Sequence, residues 1–78
     1  MKEYNVKVDW LWYVGISLEF PNRNAVVIVN KEGRILHGFG GYKWAKKMSQ
    51  QRINVIFKED HPDKTLKQIN DIVLRQTN

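Results

Sequence analysis

The chain contains no cysteine, which excludes both a disulfide framework and a thiolate metal site. Its longest uninterrupted apolar run is Trp10 to Ile16, far short of the ~20 residues that a membrane-spanning helix needs. The opening residues Met1-Lys2-Glu3-Tyr4 lack the apolar core of a signal peptide, so the expected setting is reduced and cytoplasmic, with no membrane partner. Nucleophiles are few. Ser17 and Ser49 stand outside any Gly-x-Ser-x-Gly elbow, so a triad hydrolase is not expected. Carboxylates are missing from the whole stretch between Glu32 and Glu59. Neither an internal repeat, a linker nor a low-complexity segment interrupts the sequence.

What is present suits one small basic domain spanning residues 1–78. A chain of 78 residues has room for one core. A hydrophobic fraction of 42%, with three each of Trp, Tyr and Phe, is enough to build it. The net charge is +5, and most of that excess falls after residue 40. The acid-free stretch carries Arg34, Lys43, Lys46, Lys47, Arg52 and Lys58. A run of one sign is an electrostatic footprint that attracts polyanions, although lysines also serve solubility.

From Tyr4 to Phe20 every even position is apolar, the period of a strand with one buried face. At about 3.3 Å per residue such a strand would run roughly 56 Å. It is therefore expected to bend at Gly15 or to split near Asp9. A rival reading makes Asp9 the N-cap of a helix over Trp10–Phe20, ended by Pro21. The even face places Trp10 and Trp12 in the core and leaves Leu11 and Tyr13 on the other face, either under the second helix or as an exposed patch for a protein partner. Pro21–Asn24 reads as a loop and Ala25–Asn30 as a strand. Asn30-Lys31-Glu32-Gly33 reads as a hairpin connection with Gly33 left-handed, and Arg34–Phe39 as the returning strand. A helix follows over Tyr42–Gln51, then a strand over Arg52–Lys58. The last helix is expected over Asp63–Gln76, capped by Asp60 or His61, with Leu66, Ile69, Ile72 and Val73 as its apolar stripe. This order, β-(β)-β-β-α-β-α, predicts an α+β fold: an antiparallel sheet of four or five strands with two helices on one face.

The most suggestive segment is Gly38-Phe39-Gly40-Gly41-Tyr42-Lys43-Trp44-Ala45-Lys46-Lys47. A glycine-rich turn exposes backbone N–H groups at a helix start, where the dipole favours an anion. Lys43, Lys46, Lys47 and Gln50 form one polar stripe along that helix. Lys43, Lys46, Lys47 and Arg52 are thus expected on phosphates, with help from the Gly40 and Gly41 amides, and Tyr42 or Trp44 on a base. The stretch over residues 25–48 resembles the second half of the double-stranded RNA-binding domain. There a hairpin is followed by a Gly-x-Gly turn and a Lys-x-Ala-Lys helix start, matched here by Gly38, Gly40, Lys43, Ala45 and Lys46. The family's first helix is replaced by an apparent strand, and its long final helix stops at Gln51.

The element order also resembles the first half of a ribonuclease H-like fold, with residues 25–39 as part of its opening meander. That resemblance places Asp9 and Asp60 where the family holds metal ions. The helix over Tyr42–Gln51 supplies no third carboxylate, and two acids hold hard cations poorly. Neither nuclease activity, a metal nor a cofactor is expected. The cluster Glu59-Asp60-His61-Pro62-Asp63 fits helix capping better than metal binding, and His37 reads as an ordinary strand residue. Two functional classes follow. One is a non-enzymatic nucleic-acid-binding module. The other is a small inhibitor or adaptor, of the kind bacteriophages and mobile elements encode, docking through Leu11, Tyr13 and an edge strand on a host protein, such as a nucleic-acid-binding protein, or on a nucleoprotein complex. A homodimer through an edge strand is compatible with either.

Overall fold

Alternation begins as the sequence implies and then stops. The structure, a computed structural model, describes residues 1–14 and 26–76. Strand β1 covers Tyr4–Lys7, with Tyr4 and Val6 half-buried and Asn5 and Lys7 exposed. A 3-10 turn over Val8–Trp10 follows, closed by the Leu11 amide donating to the Val8 carbonyl at 3.0 Å. In a 3-10 turn residues i and i+3 fall on the same side. Val8 and Leu11 therefore enter the core together, while Trp10 and Trp12 stay 39% and 42% exposed. The expectation that the even face continues past Asp9 is corrected here, and so is a helix starting at Trp10, because Leu11 is extended. The bend at Gly15, the remaining even positions to Phe20 and the Pro21–Asn24 loop lie outside the described residues.

Strand β2, Ile28–Val29, returns through a tight connection to β3, Ile35–His37. Asn30 makes that turn. Its side-chain oxygen accepts from the Glu32 and Arg34 amides at 2.9 Å each, and its carbonyl accepts from the Gly33 amide at 3.0 Å. Gly33 has φ +87°, the left-handed residue expected of this connection.

Helix α1 covers Phe39–Lys47, about one turn earlier than the expected Tyr42–Gln51. Both boundaries have backbone causes. Gly38 is the N-cap at φ +84°, and a Cβ there would lie 1.9 Å from the Val26 carbonyl oxygen. At the other end, Ser49 is left-handed at φ 55°. The Ser49 amide donates to the Lys46 carbonyl at 3.1 Å and the Gln50 amide to the Ala45 carbonyl at 2.9 Å. This is the Schellman pattern, which stops a helix. Strand β4 can then begin at Arg52 and run to Phe57.

The four strands lie in the order β1-β4-β2-β3. β1 pairs antiparallel with β4, β2 antiparallel with β3, and β2 parallel with β4, Ile28 facing Ile56 and Val29 facing Phe57. The sheet is mixed, not antiparallel throughout, because α1 carries the chain back across the sheet before β4 starts. The opening meander of the ribonuclease H-like resemblance does not form, since β1 adds to β4 and not to β2. Trp12 lies against the start of β3 instead: its amide donates to the Gly33 carbonyl at 3.1 Å and its carbonyl accepts from the Ile35 amide at 2.8 Å.

The second helix, α2, covers Leu66–Gln76 and starts later than Asp63. Its cap is Thr65. The Thr65 hydroxyl accepts from the Gln68 amide at 3.1 Å, and the Gln68 side chain accepts from the Thr65 amide at 2.8 Å, a reciprocal capping box. Two buried clusters show where the helices sit. Val27, Val29 and Val55 pack with Val8, Leu11, Ile35 and the α1 residues Phe39, Tyr42 and Ala45. Ile28 and Ile56 pack with Ile69 of α2, bordered by Met1, Val26, Leu66 and Val73. Neighbouring residues of β2 and β4 thus point into different cores. The helices cover opposite faces, not one face, because strands that are apolar at consecutive positions need cover on both sides. Among the described residues, no helix is long and apolar enough to cross a membrane.

Candidate nucleic-acid interface

The turn that starts α1 also decides which of its groups face outward. Phe39, Gly40, Gly41, Tyr42 and Ala45 are buried. The Gly41 amide donates to the Gly38 carbonyl at 3.0 Å, as does the Tyr42 amide at 3.4 Å. The Gly41 N–H expected on a phosphate is consumed in the first helical turn. Tyr42 is 7% exposed and belongs to the core, so it offers no free face to a base. Trp44 is half-buried.

Lys43, Lys46 and Lys47 are all exposed, as their stripe implies. Each ammonium lies over an aromatic ring one turn back on the same helix. Lys43 sits 5.5 Å from the Phe39 ring centre, Lys46 5.5 Å from Tyr42, and Lys47 5.9 Å from Trp44. Such contacts are worth about 0.5–1 kcal/mol each at exposed sites. Their larger consequence is order: a side chain already laid along its helix loses less rotamer freedom when it meets a ligand. Lys46 and Lys47 also occupy the last turn, where cations offset the negative end of the helix dipole. Gln50, expected on the same stripe, lies beyond the helix end.

Arg52 opens β4 and is fixed by Asn5 of β1. Its Nε donates to the Asn5 side-chain oxygen and its terminal nitrogen to the Asn5 carbonyl at 2.9 Å. Asn5 in turn donates to Asn54 at 3.0 Å. The register places Lys7 directly opposite Arg52. Lys7 is therefore a further member of the basic surface, and sequence reasoning missed it. The pairing joins residues far apart in the chain, so no local pattern signals it.

The residues expected on a protein partner separate. Leu11 is 5% exposed and lies in the core with Val8 and Tyr42, which removes it from any docking surface. Tyr13 is 46% exposed and packs edge-on against Phe39 and Tyr42, with ring centres 4.4 and 5.9 Å apart. Trp10 packs on Phe57 at 6.1 Å, and the Trp12 indole N–H donates to the Glu32 carbonyl at 3.0 Å.

The acidic cluster does something other than cap α2. The Glu59 carboxylate accepts the Lys31 amide at 2.9 Å and so braces the β2–β3 turn. That hydrogen bond holds its pKa below the ordinary value. The Lys64 ammonium, 3.1 Å away, does the same for Asp63. Asp9 and Asp60 are both exposed, on separate 3-10 turns. Among the described residues, no group of three His, Asp or Glu side chains is placed to hold a metal ion.

Comparison with protein-family models, with curated proteins and with solved structures finds no match for this chain.

Proposed function

We propose that this chain is a non-enzymatic nucleic-acid-binding module that lays the outer face of α1 along a phosphate backbone. The observation that carries the reading is the ordered lysine row. Lys43, Lys46 and Lys47 project from one short helix, each steadied on an aromatic ring, in a segment without any acid. Arg52 and Lys7 extend the same sign around the end of the sheet. Contacts of this type position a protein on a strand without reading its bases. Trp44, the other aromatic of the expected pair, is half-buried.

The test is fluorescence anisotropy of labelled duplex RNA, duplex DNA and single-stranded DNA at low and moderate salt. Micromolar binding that falls steeply with salt, and is lost in a Lys43/Lys46/Lys47→Ala variant, is the expected result. Any residual binding of the triple variant at low salt should show a slope of log K against log salt lower by about two to three. Absence of binding at low salt would remove the reading. A second reading has its own support in the exposure of three large aromatic side chains, Trp10, Trp12 and Tyr13. A small inhibitor or adaptor would use such aromatic anchors against a protein. Its affinity for that protein would depend on Tyr13 and Trp12 and change little with salt.

A further inference from the structure

An open-sided recess of about 450 Å³ lies where β1 ends, β4 begins and α1 terminates. Its walls carry three cations from three separate elements: Lys7 of β1, Arg52 of β4 and Lys46 of α1. Ser49, Gln50 and Gln51 supply neutral hydroxyl and amide groups between them, and Asp9 is the one carboxylate on the rim. The volume lies in the range of small-molecule sites.

Three features point to the same occupant. The first is the sign of the charge. The C-terminal end of α1 contributes about half a negative charge, and Asp9 a full one. The three cations still leave an excess of about one and a half positive charges. The α1 carbonyls of Trp44, Ala45 and Lys46 are already satisfied by the amides of Met48, Gln50 and Ser49, so the negative end of the helix is capped. The second feature is the direct cross-strand pairing of Lys7 with Arg52. Like charges facing each other in an antiparallel pair are destabilising, and an anion between them removes that cost. The third is presentation. Arg52 is pinned by two hydrogen bonds to Asn5, which holds its guanidinium in place while leaving further N–H donors unspent.

We infer that this recess seats a nucleotide phosphate, with Lys7, Lys46 and Arg52 as its charged ligands and Ser49, Gln50 and Gln51 as neutral donors. The inference deepens the nucleic-acid reading and rests on it only for the source of the phosphate, which is either a strand or a free nucleotide. A phosphate in the recess would lie at the end of the α1 lysine row, and Lys46 belongs to both.

The experiment is an amide ¹H–¹⁵N titration of the full chain at constant ionic strength. The probes are inorganic phosphate, adenosine 5′-monophosphate, adenosine, and a 12-nucleotide single-stranded DNA. Phosphate and the monophosphate should give saturable shifts at Lys7, Gln50, Gln51 and Arg52, and adenosine should give none. Lys7→Ala should weaken the monophosphate about tenfold, the scale of one charge-assisted contact. Lys7→Arg should keep it within about threefold, and Lys67→Ala, on α2 and outside the recess, within about twofold. Because Lys7→Ala also relieves the pairing with Arg52, its thermal midpoint should not fall, which separates lost binding from lost folding. If the DNA also weakens about tenfold in Lys7→Ala, the strand is the source. If the monophosphate binds as described and the DNA does not bind at all, the recess stands and the nucleic-acid reading fails. If the DNA binds and Lys7→Ala leaves both it and the monophosphate unchanged, the recess inference is overturned while the nucleic-acid reading survives.

Discussion

Replacing Gly38 by alanine tests the placement of α1, and with it the direction in which Lys43, Lys46 and Lys47 point. Gly38 is left-handed at φ +84° and ψ 29°. A side chain in that region costs an L-residue about 1–2 kcal/mol. The added methyl carbon would also lie 1.9 Å from the Val26 carbonyl oxygen, 2.6 Å from its carbon and 2.8 Å from the Val27 Cα. All three are backbone atoms leading into β2, where Val27, Ile28 and Val29 are almost wholly buried between two helices. No side-chain rotation relieves that overlap, so either the strand entry or α1 must shift. Overpacking of this kind costs typically about 1–3 kcal/mol. The two terms give a loss of about 2–5 kcal/mol, against a total stability of roughly 4–12 kcal/mol for a chain of this size. Urea unfolding followed by tryptophan fluorescence and far-ultraviolet circular dichroism reads the change. The expected result is a clear drop in midpoint without a matching change in m. A Gly38→Ala midpoint within experimental error of the parent would refute the reasoning. It would mean that Gly38 does not cap α1 against β2, and that the helix starts near Tyr42 with the glycines ahead of it.

Two further outcomes follow from the same geometry. Ser49→Gly relieves the left-handed strain at the end of α1 and should raise stability by about 0.5–1 kcal/mol, while removing one hydroxyl from the recess; a lower unfolding midpoint would show that the Ser49 side chain contributes more than its backbone costs. Glu59 has a depressed pKa in the folded state because it accepts the Lys31 amide. Its contribution is therefore present above the ordinary carboxylate value of 4.5 and is lost as pH falls through the lower folded value. The group is exposed, so the effect should stay below about 1 kcal/mol. Unfolding midpoints measured from pH 6 to pH 2 should fall less in Glu59→Gln than in the parent, and parallel curves would contradict the assignment.

Much of the fold could be read along the chain, and the failures have physical causes. The Asn30–Gly33 connection, the strand over Arg52–Phe57 and the apolar stripe of the last helix were legible, because each depends on local chemistry. The even-position alternation was legible only as far as Val8. A 3-10 turn changes the phase of the pattern without any glycine or proline to mark it, and Leu11 and Trp10 exchange places with respect to the core. The opposite placement of the two helices was written in the runs Val26-Val27-Ile28-Val29 and Val55-Ile56-Phe57. Strands that are apolar at consecutive positions are covered twice, and a sheet covered on one face would show polar residues there. Thr65 and Gln68 spell a capping box that the more conspicuous acids at Glu59–Asp63 obscured. In the candidate interface, exposure of Lys43, Lys46 and Lys47 follows from helical spacing alone. The burial of Tyr42 does not, since it depends on where the helix starts, and the pairing of Lys7 with Arg52 depends on a register between the two ends of the chain.

These placements change the kind of recognition that the basic surface can perform. A glycine-rich helix start suggests backbone amides gripping a phosphate, a geometry that fixes the ligand closely. Here that end of α1 is turned into the core: Gly40 and Gly41 are buried and the Gly41 amide is spent on Gly38. The cations gather instead toward the C-terminal half of the helix and the adjoining sheet end, as side chains resting on rings or pinned by Asn5. Lysine ammonium groups act as point charges with little directional demand. On the proposed reading, a surface built from them would track charge and not base sequence, and its affinity would be governed by counterion release. Arg52 is the exception. Its planar group is held in one orientation, so whatever geometric selectivity the surface has should be concentrated at the sheet end, beside Lys7 and Lys46, and not along the helix.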